Sequence, residues 1–350
     1  MPDSSPTILI TGATGLVGSH LLYRLASAGY QTRAFVRKTG DYRQVLKSVF
    51  LLYSDNTQRL LESVEFVEGD LTDIPSIQAA LKGITDVFHC AGSQPGSILE
   101  RNAALKLNGE GTANLINCSL EAGINWLGHI STVETLGSNP EGLIDEDFFW
   151  KPAPDVSGFA VSKYVAEQEV WRGFEEGLPV LIVNPSFIFG PSVSGSGGEV
   201  LFKFIRNKHR KFTPGSSGYV GVWDVAETLY TLFEAKVTGQ RFIVSSENLE
   251  TGDLLRLISK QLNIDLSFEM LSPTRTGSVN LITRLFQGKH AARTNYALKN
   301  AAESRSYDNA RIIQEISIPF MPVEAAIEKT IALQKKLEAK ENKKDFTDSL

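Results

Sequence analysis

The sequence predicts an α/β protein built on a doubly wound parallel sheet, with a smaller domain formed by the later segments. Two observations predict it. The stretch from Thr7 to Gly18, TILITGATGLVG, runs from β-branched and aliphatic residues into three glycines, and the amphipathic run LVGSHLLYRLASAG then reads as a helix after a strand and a tight turn. Behind it, short β-type runs keep alternating with helical patterns, the order that parallel strands joined by helical crossovers require.

The opening turn has a chemistry of its own. Glycine at its first position can take φ > 0, and glycine without a Cβ lets an anionic group reach the backbone. The following helix aims free N–H groups and its positive end at that anion. The expected anion is the pyrophosphate of a dinucleotide, contacted by Gly12, Thr14, Gly15, Leu16, Val17 and Gly18. An ordinary strand-to-helix turn, which also favours glycine, is the competing account.

With 350 residues, 42% hydrophobic and 21% charged, the chain can bury a sizeable core in one large or two modest domains. A formal charge of −5 and an isoelectric point near 5.7 argue against nucleic acid or a membrane surface as partner, since neither would gain counterion release or attraction. A small-molecule substrate is the expected partner, a homodimer is compatible with the sequence, and no metal site is expected. Cys90 and Cys118 have no CxxC or repeated spacing, so free thiols in a reducing compartment are expected. The start MPDSSP is polar and acidic, unlike a signal peptide, and no apolar run reaches about 18 residues. A cytoplasmic protein is therefore expected.

The second strand, in YQTRAFVRK, ends at Arg37. An acidic residue about twenty positions past the glycines suits the ribose 2′-hydroxyl of NAD, whereas a basic one suits the 2′-phosphate of NADP. Arg37 therefore favours NADP over NAD, with a solvated strand-end arginine as the competing account. Residues 41 to 62 carry Val45, Leu46, Val49, Phe50 and Tyr53 at helical spacing, a packing stripe. In the strand TDVFHCAG, His89 lies between apolar neighbours and reads as a core histidine.

The spacing GxxGxxG differs from the GxGxxG of many dinucleotide folds and resembles the TGxxGxxG opening of the short-chain dehydrogenase/reductase superfamily, in its extended branch of epimerases, dehydratases and dihydroflavonol-reductase-like enzymes. Further segments resemble the same family in the same order. Gly69-Asp70-Leu71 is similar to its GDLxD, which implies that Asp70 and Leu71 meet the adenine; helix capping competes for the nearby Asp73. The small residues ending at Ala91 leave the cofactor a path over the strand end. NGEGTANL (108 to 115) is similar to NVxGTxNLL, in which the asparagine, here Asn108, braces the active-site strand; Gly109 replaces the usual valine, which implies a looser helix.

HISTVETLG resembles the family's (S/T)-S-x-x-x-x-G, and counting back from Gly137 gives Thr132 the hydroxyl that bonds the substrate oxygen, with Ser131 beside it; a polar strand-end cap competes. GFAVSKYVAE resembles YxxSKxxAE, with Lys163 in place and Phe159 standing where the family has its catalytic tyrosine. Residues 159 and 163 share one helical face, whereas Tyr164 is turned well away from it. Pro185 and Ile188 lie in a segment similar to RPxxVxGP, whose backbone meets the nicotinamide carboxamide, and the Gly/Ser-rich stretch 192 to 199 is expected to be a mobile loop over the substrate.

The resemblance spans about residues 7 to 330 and implies a Rossmann-type cofactor domain over 1–183 and 220–246. A substrate domain is expected over 184–219 and 247–335, with 336–350 a fraying charged tail. It looks closest to dihydroflavonol-4-reductase-like proteins and their bacterial relatives. Family chemistry moves hydride between nicotinamide and a carbonyl or alcohol carbon while tyrosine exchanges the proton. With Phe159, three readings stay open: a reductase or dehydratase in which water, Thr132 or the substrate supplies the proton; a non-catalytic NADP(H)-binding sensor or assembly factor; or an engineered variant of an active enzyme.

Overall fold

The structure is a computed structural model and describes residues 7–38, 40–54, 57–93, 101–139, 142–148, 157–193, 195–271 and 304–347. The chain begins β1 (Thr7–Thr11), α1 (Leu16–Ser27), β2 (Gln31–Val36), α2 (Tyr42–Phe50), α3 (Thr57–Glu62) and β3 (Val64–Glu68). It continues α4 (Ile74–Leu81), β4 (Asp86–His89), α5 (Arg101–Leu105), a π-helical turn at Lys106–Glu110 and α6 (Gly111–Ala122). Then come β5 (Trp126–Ile130), a 3₁₀ turn at Val133–Leu136, β6 (Leu143–Ile144), α7 (Gly158–Glu175), β7 (Val180–Pro185) and β8 (Phe187–Phe189). The last part is α8 (Glu199–Arg206), β9 (Lys211–Phe212), β10 (Ser216–Gly221), α9 (Val222–Glu234), β11 (Gln240–Val244), β12 (Glu247–Glu250), α10 (Thr251–Gln261), β13 (Glu269–Met270), β14 (Ser306–Tyr307), α11 (Ala310–Ile316) and α12 (Val323–Thr347).

A seven-stranded sheet in the order β11-β7-β5-β4-β1-β2-β3, parallel throughout, organises the larger part. Its strands are apolar on both faces, as a sheet covered on both sides must be. Side chains alternate, so Ile8 and Ile10 meet α1 and α9 on one face while Leu9 meets α4 and α6 on the other. Leu181 and Val183 against Val180 and Ile182 repeat that division on β7. Phe88, Trp126 and Phe233 pack edge to face with centroids 5.1 to 5.4 Å apart, and the Trp126 indole donates to the Val237 carbonyl at 2.8 Å, which locks α9 onto β4 and β5.

The smaller part is built around a three-stranded sheet, β12-β10-β8, and a core of Phe189, Phe202, Ile205, Tyr219, Leu254 and Ile258 with α12. β7 keeps its pairing with β11 through Asn184 and Pro185, so the chain leaves the large sheet after residue 185. Several described residues of the stretch 192–199 are hydrogen-bonded. Gly190 N–H donates to the Gly197 carbonyl at 3.1 Å, Ser192 N–H to Gln334 at 3.1 Å, and the Ser192 and Ser196 hydroxyls meet at 2.9 Å. α12 likewise carries a helix to Thr347 through most of the expected tail, because KLEAKENKK is rich in strong helix formers.

Candidate active site

In a parallel sheet every carboxyl end opens on the same edge. Along that edge lie Asp70 after β3, Arg37 after β2, Gly12 after β1, Ala91 after β4, Thr132 after β5 and Pro185 ending β7. They span five strand-to-strand steps of about 4.8 Å, roughly 24 Å, which only an extended ligand can cover. The chain winds outward from β1 through β2 to β3 and returns to β4 on the other side of β1, so the crevice between β1 and β4 is the topological switch point.

The three glycines at that crevice do three different things. Gly12 has φ +66° and packs so tightly that a Cβ would lie 2.5 Å from the Ala91 nitrogen. At Gly18 a Cβ would lie 2.2 Å from the Gly12 carbonyl oxygen, so this glycine seats α1 against its own strand. Gly15 is exposed, has an ordinary φ of −75°, and a Cβ there would meet only the Gly12 oxygen, at 3.2 Å. No side chain caps α1. Gly15 thus leaves a cradle in front of an uncapped helix end, and the residues present fit a bound pyrophosphate. Thr14 and Leu16 flank the cradle half-buried, whereas Val17 turns its side chain into the core, leaving its backbone N–H in the helix's first turn.

Arg37 is exposed at the end of β2 and lies close enough to Asp70 to lower its pKa, although the larger cause is Thr72. Thr72 donates both its N–H and its hydroxyl to Asp70 Oδ1, at 2.8 and 2.7 Å, which fixes the turn before α4. Asp73 occupies the cap position of α4 without a side-chain cap bond. Leu71 is buried in the core and gives its carbonyl to Asn114 at 3.0 Å, so its side chain does not face the crevice.

Lys163 on α7 is buried, 4% exposed, with its ammonium donating to the Ile130 carbonyl at 2.6 Å and lying 3.3 Å from His129 Nε2. Burial lowers its pKa to about 8, against the opposing pull of Glu167 and Cys90. Its Nζ would stand 3.9 Å from a Cβ on Gly92, just past Ala91, so the ammonium lies beside the exposed end of β4. Phe159 sits one turn earlier on the same helix, half-buried, and its carbonyl accepts from Ser162. Asn108, on the π-helical turn, accepts from Ser93 N–H, donates to the Ser93 carbonyl and donates to Ser162, stitching the end of β4 to α7. At Gly109 a Cβ would lie 3.1 Å from Val165, so this turn runs close against α7.

The end of β5 is held by a second network. Asn184 donates to the Thr132 carbonyl, to Thr135 and to Glu167, at 2.6 to 3.0 Å, and Glu167 also accepts from Thr135 and pairs with Arg241 at 3.2 Å. Thr132 Oγ1 accepts from Glu134 N–H at 3.3 Å, a bond that does not use the hydroxyl's own proton. Ser131 is buried, and its hydroxyl is among the buried polar atoms without a partner. Pro185 is buried within β7, and Ile188 belongs to the small sheet, paired with Val220, at the rim of the crevice.

Residues 8–244 match the NAD dependent epimerase/dehydratase family. The chain belongs to that family. Its members include NAD(P)-dependent reductases, epimerases and dehydratases, and this chain has their extended short-chain dehydrogenase fold. It is 26% identical over 333 residues to sterol demethylase protein B of Methylococcus capsulatus, covering 93% of this chain and 97% of that one. It is 26% identical to a dihydroflavonol 4-reductase of Callistephus chinensis, covering 74% of each. The crystal structure of gox2253 superposes with a TM-score of 0.76 at 28% identity, covering 95% of this chain and 98% of that one. No helix among the described residues is long and apolar enough to cross a membrane, and Cys90 and Cys118 are free thiols.

Histidine is the residue type that sequence reasoning undervalued in this member of the family. His89 is buried as expected, with its ring nitrogens bonded to Thr11 and Thr112 at 2.8 and 2.9 Å. His129, fully buried on β5 beside Lys163, escaped notice; its only signal is a polar residue at an inward position of an otherwise apolar strand. Burial lowers the pKa of His89 to about 3, that of His20 on α1 to about 4, and that of His129 far below its ordinary value. Below pH 6.5 the unfolded chain therefore takes up protons that the folded chain refuses, and each ring should cost about 1.4 kcal/mol of stability per pH unit. Urea midpoints measured between pH 7.5 and 5 should drop steeply below 6.5. A flat profile there would contradict the buried, neutral state of these rings.

Proposed function

We propose that the chain is an NADP(H)-dependent oxidoreductase acting on a carbonyl or alcohol of a small molecule, slowed by Phe159. The observation that carries this reading is the buried Lys163 ammonium on the same sheet edge as the open Gly15 cradle, two strands away from it. The nicotinamide supplies hydride when bound. The chain's own part is to bind and orient: the α1 end for the pyrophosphate, Arg37 for the 2′-phosphate, Asp70 for the adenine, Lys163 for the ribose hydroxyls, and Pro185 and Ile188 for the carboxamide. Thr132, whose Oγ1 accepts from Glu134 N–H, donates its own proton to the substrate oxygen. Similarity to a dihydroflavonol 4-reductase supports a carbonyl substrate. The smaller part would close over that substrate, in a cytoplasmic protein that works alone or as a homodimer.

Phe159 favours a second reading, in which the chain binds NADP(H) as a sensor or assembly factor without turnover. Fluorescence titration with NADPH followed by a turnover screen on ketones and aldehydes separates the two. Tight binding with no turnover by either this chain or Phe159→Tyr would establish the second. The cofactor choice has its own test. NADPH should bind more tightly than NADH by about ten- to a hundredfold, the worth of one guanidinium–phosphate contact, and Arg37→Glu should narrow or reverse the preference. Equal affinities in the parent would remove Arg37 from the site.

A further inference from the structure

Lys163 has three protons and two fixed partners. The Ile130 carbonyl takes one at 2.6 Å, and the nitrogen lies 3.9 Å from where a Cβ on the exposed Gly92 would stand. The second faces His129 Nε2 at 3.3 Å. That histidine is fully exposed to nothing but protein: it has 0% solvent exposure, its ring lies 4.9 Å from that of His89, and its Nδ1 is among the buried atoms without a partner. A buried polar ring with one unpaired nitrogen costs stability, and a leucine would fill the same inward strand position at no such cost.

An imidazole does what an aliphatic side chain cannot. In its neutral form it has one N–H and one bare nitrogen, so either can face Nε2's neighbour. With the ring proton on Nδ1, Nε2 accepts from the ammonium. With the proton on Nε2, the ring donates to the uncharged amine. The backbone carbonyl of Ile130 can only accept, so it serves one charge state of the lysine. His129 can serve both.

We propose that His129 is the positioning residue of Lys163, keeping the side chain hydrogen-bonded in the charged and the neutral state so that it can hold or release a proton inside a closed site. The groups around the ammonium are few: His89 ending β4 and Cys90 just after it, His129 on β5 and Glu167 on α7 itself. Glu167 is committed to Thr135, Asn184 and Arg241, and His89 to two threonine hydroxyls. His129 is thus the ring in direct contact with Nζ. With Phe159 in the tyrosine position, the lysine is left as the titrating side chain of the motif, and this role rests on the oxidoreductase reading only in supposing that Lys163 faces a bound cofactor.

The test labels the full chain with ¹³Cε-lysine, assigns the Lys163 signal with Lys163→Arg, and follows its chemical shift against pH. His129→Leu should move the titration down by about one pH unit, because the bond lost from the ammonium is charge-assisted and stronger than the one lost from the neutral amine, and weaken NADPH binding by about the same factor. His129→Gln, whose amide can turn to donate or accept, should restore both. A titration unmoved by His129→Leu overturns the assignment, as does a glutamine variant displaced as far as the leucine one, which would mark the ring as packing. If the leucine variant does not fold, His129→Met takes its place with the same expected shift. A protein that turns over no carbonyl while showing these shifts would remove the oxidoreductase reading and leave the His129–Lys163 pair standing.

Discussion

Replacing Gly15 with valine should abolish NADPH binding, a loss of at least about a hundredfold, since a branched side chain would occupy the place of the pyrophosphate and cover the N–H groups at the end of α1. The fold should survive. Gly15 is exposed, its φ of −75° suits any residue, and its added Cβ would press only on the Gly12 oxygen at 3.2 Å. The neighbouring glycines should behave in the opposite way. Gly18→Ala forces a Cβ to 2.2 Å from that same oxygen, and Gly12→Ala combines φ +66° with a 2.5 Å approach to Ala91. Each should cost about 1 to 3 kcal/mol of stability, lost as a lower melting temperature. Thermal denaturation and NADPH fluorescence, run on all three variants, check the division. A Gly15→Val protein that binds NADPH like the parent would reduce the cradle to a structural turn.

That division also marks what could be read from residues alone. A glycine triad announces a turn, but the turn's three demands are set by distances to Ala91 and to the Gly12 carbonyl, which no spacing reveals. The large sheet was legible because its signal is local: short, nearly continuous apolar runs between amphipathic segments. Leu71 and Val17 were assigned to the cofactor by their neighbours in the motif, yet their side chains belong to the core, because a strand end or helix start presents its backbone to one side and its side chain to another. Gly109 is a related case: its missing side chain suggests slack, yet the π-helical turn lies close to Val165 and its Asn108 bonds Ser93 and Ser162. His129 was silent because its meaning depends on a lysine 34 residues away, on another element.

Restoring the phenol should produce the largest gain in activity. Phe159→Tyr adds one hydroxyl a single helical turn before Lys163, on the face that already presents the ammonium to the crevice. A nearby positive charge favours the phenolate, so the new tyrosine's pKa should fall toward the working range, where it can give its proton to the developing alkoxide. General acid catalysis of this kind is typically worth ~10² to 10⁴-fold, so reduction of a ketone or aldehyde should rise by about a hundredfold or more. NADPH affinity should barely change, because the ribose contact belongs to Lys163. Lys163→Ala in both backgrounds supplies the contrast: it should weaken NADPH binding with or without the phenol, and cancel most of the gain in turnover. A Phe159→Tyr protein that binds NADPH tightly yet reduces none of a broad carbonyl panel would transfer the chain to the non-catalytic reading, since the binding site, the lysine, Thr132 and the acid would then all be present without effect.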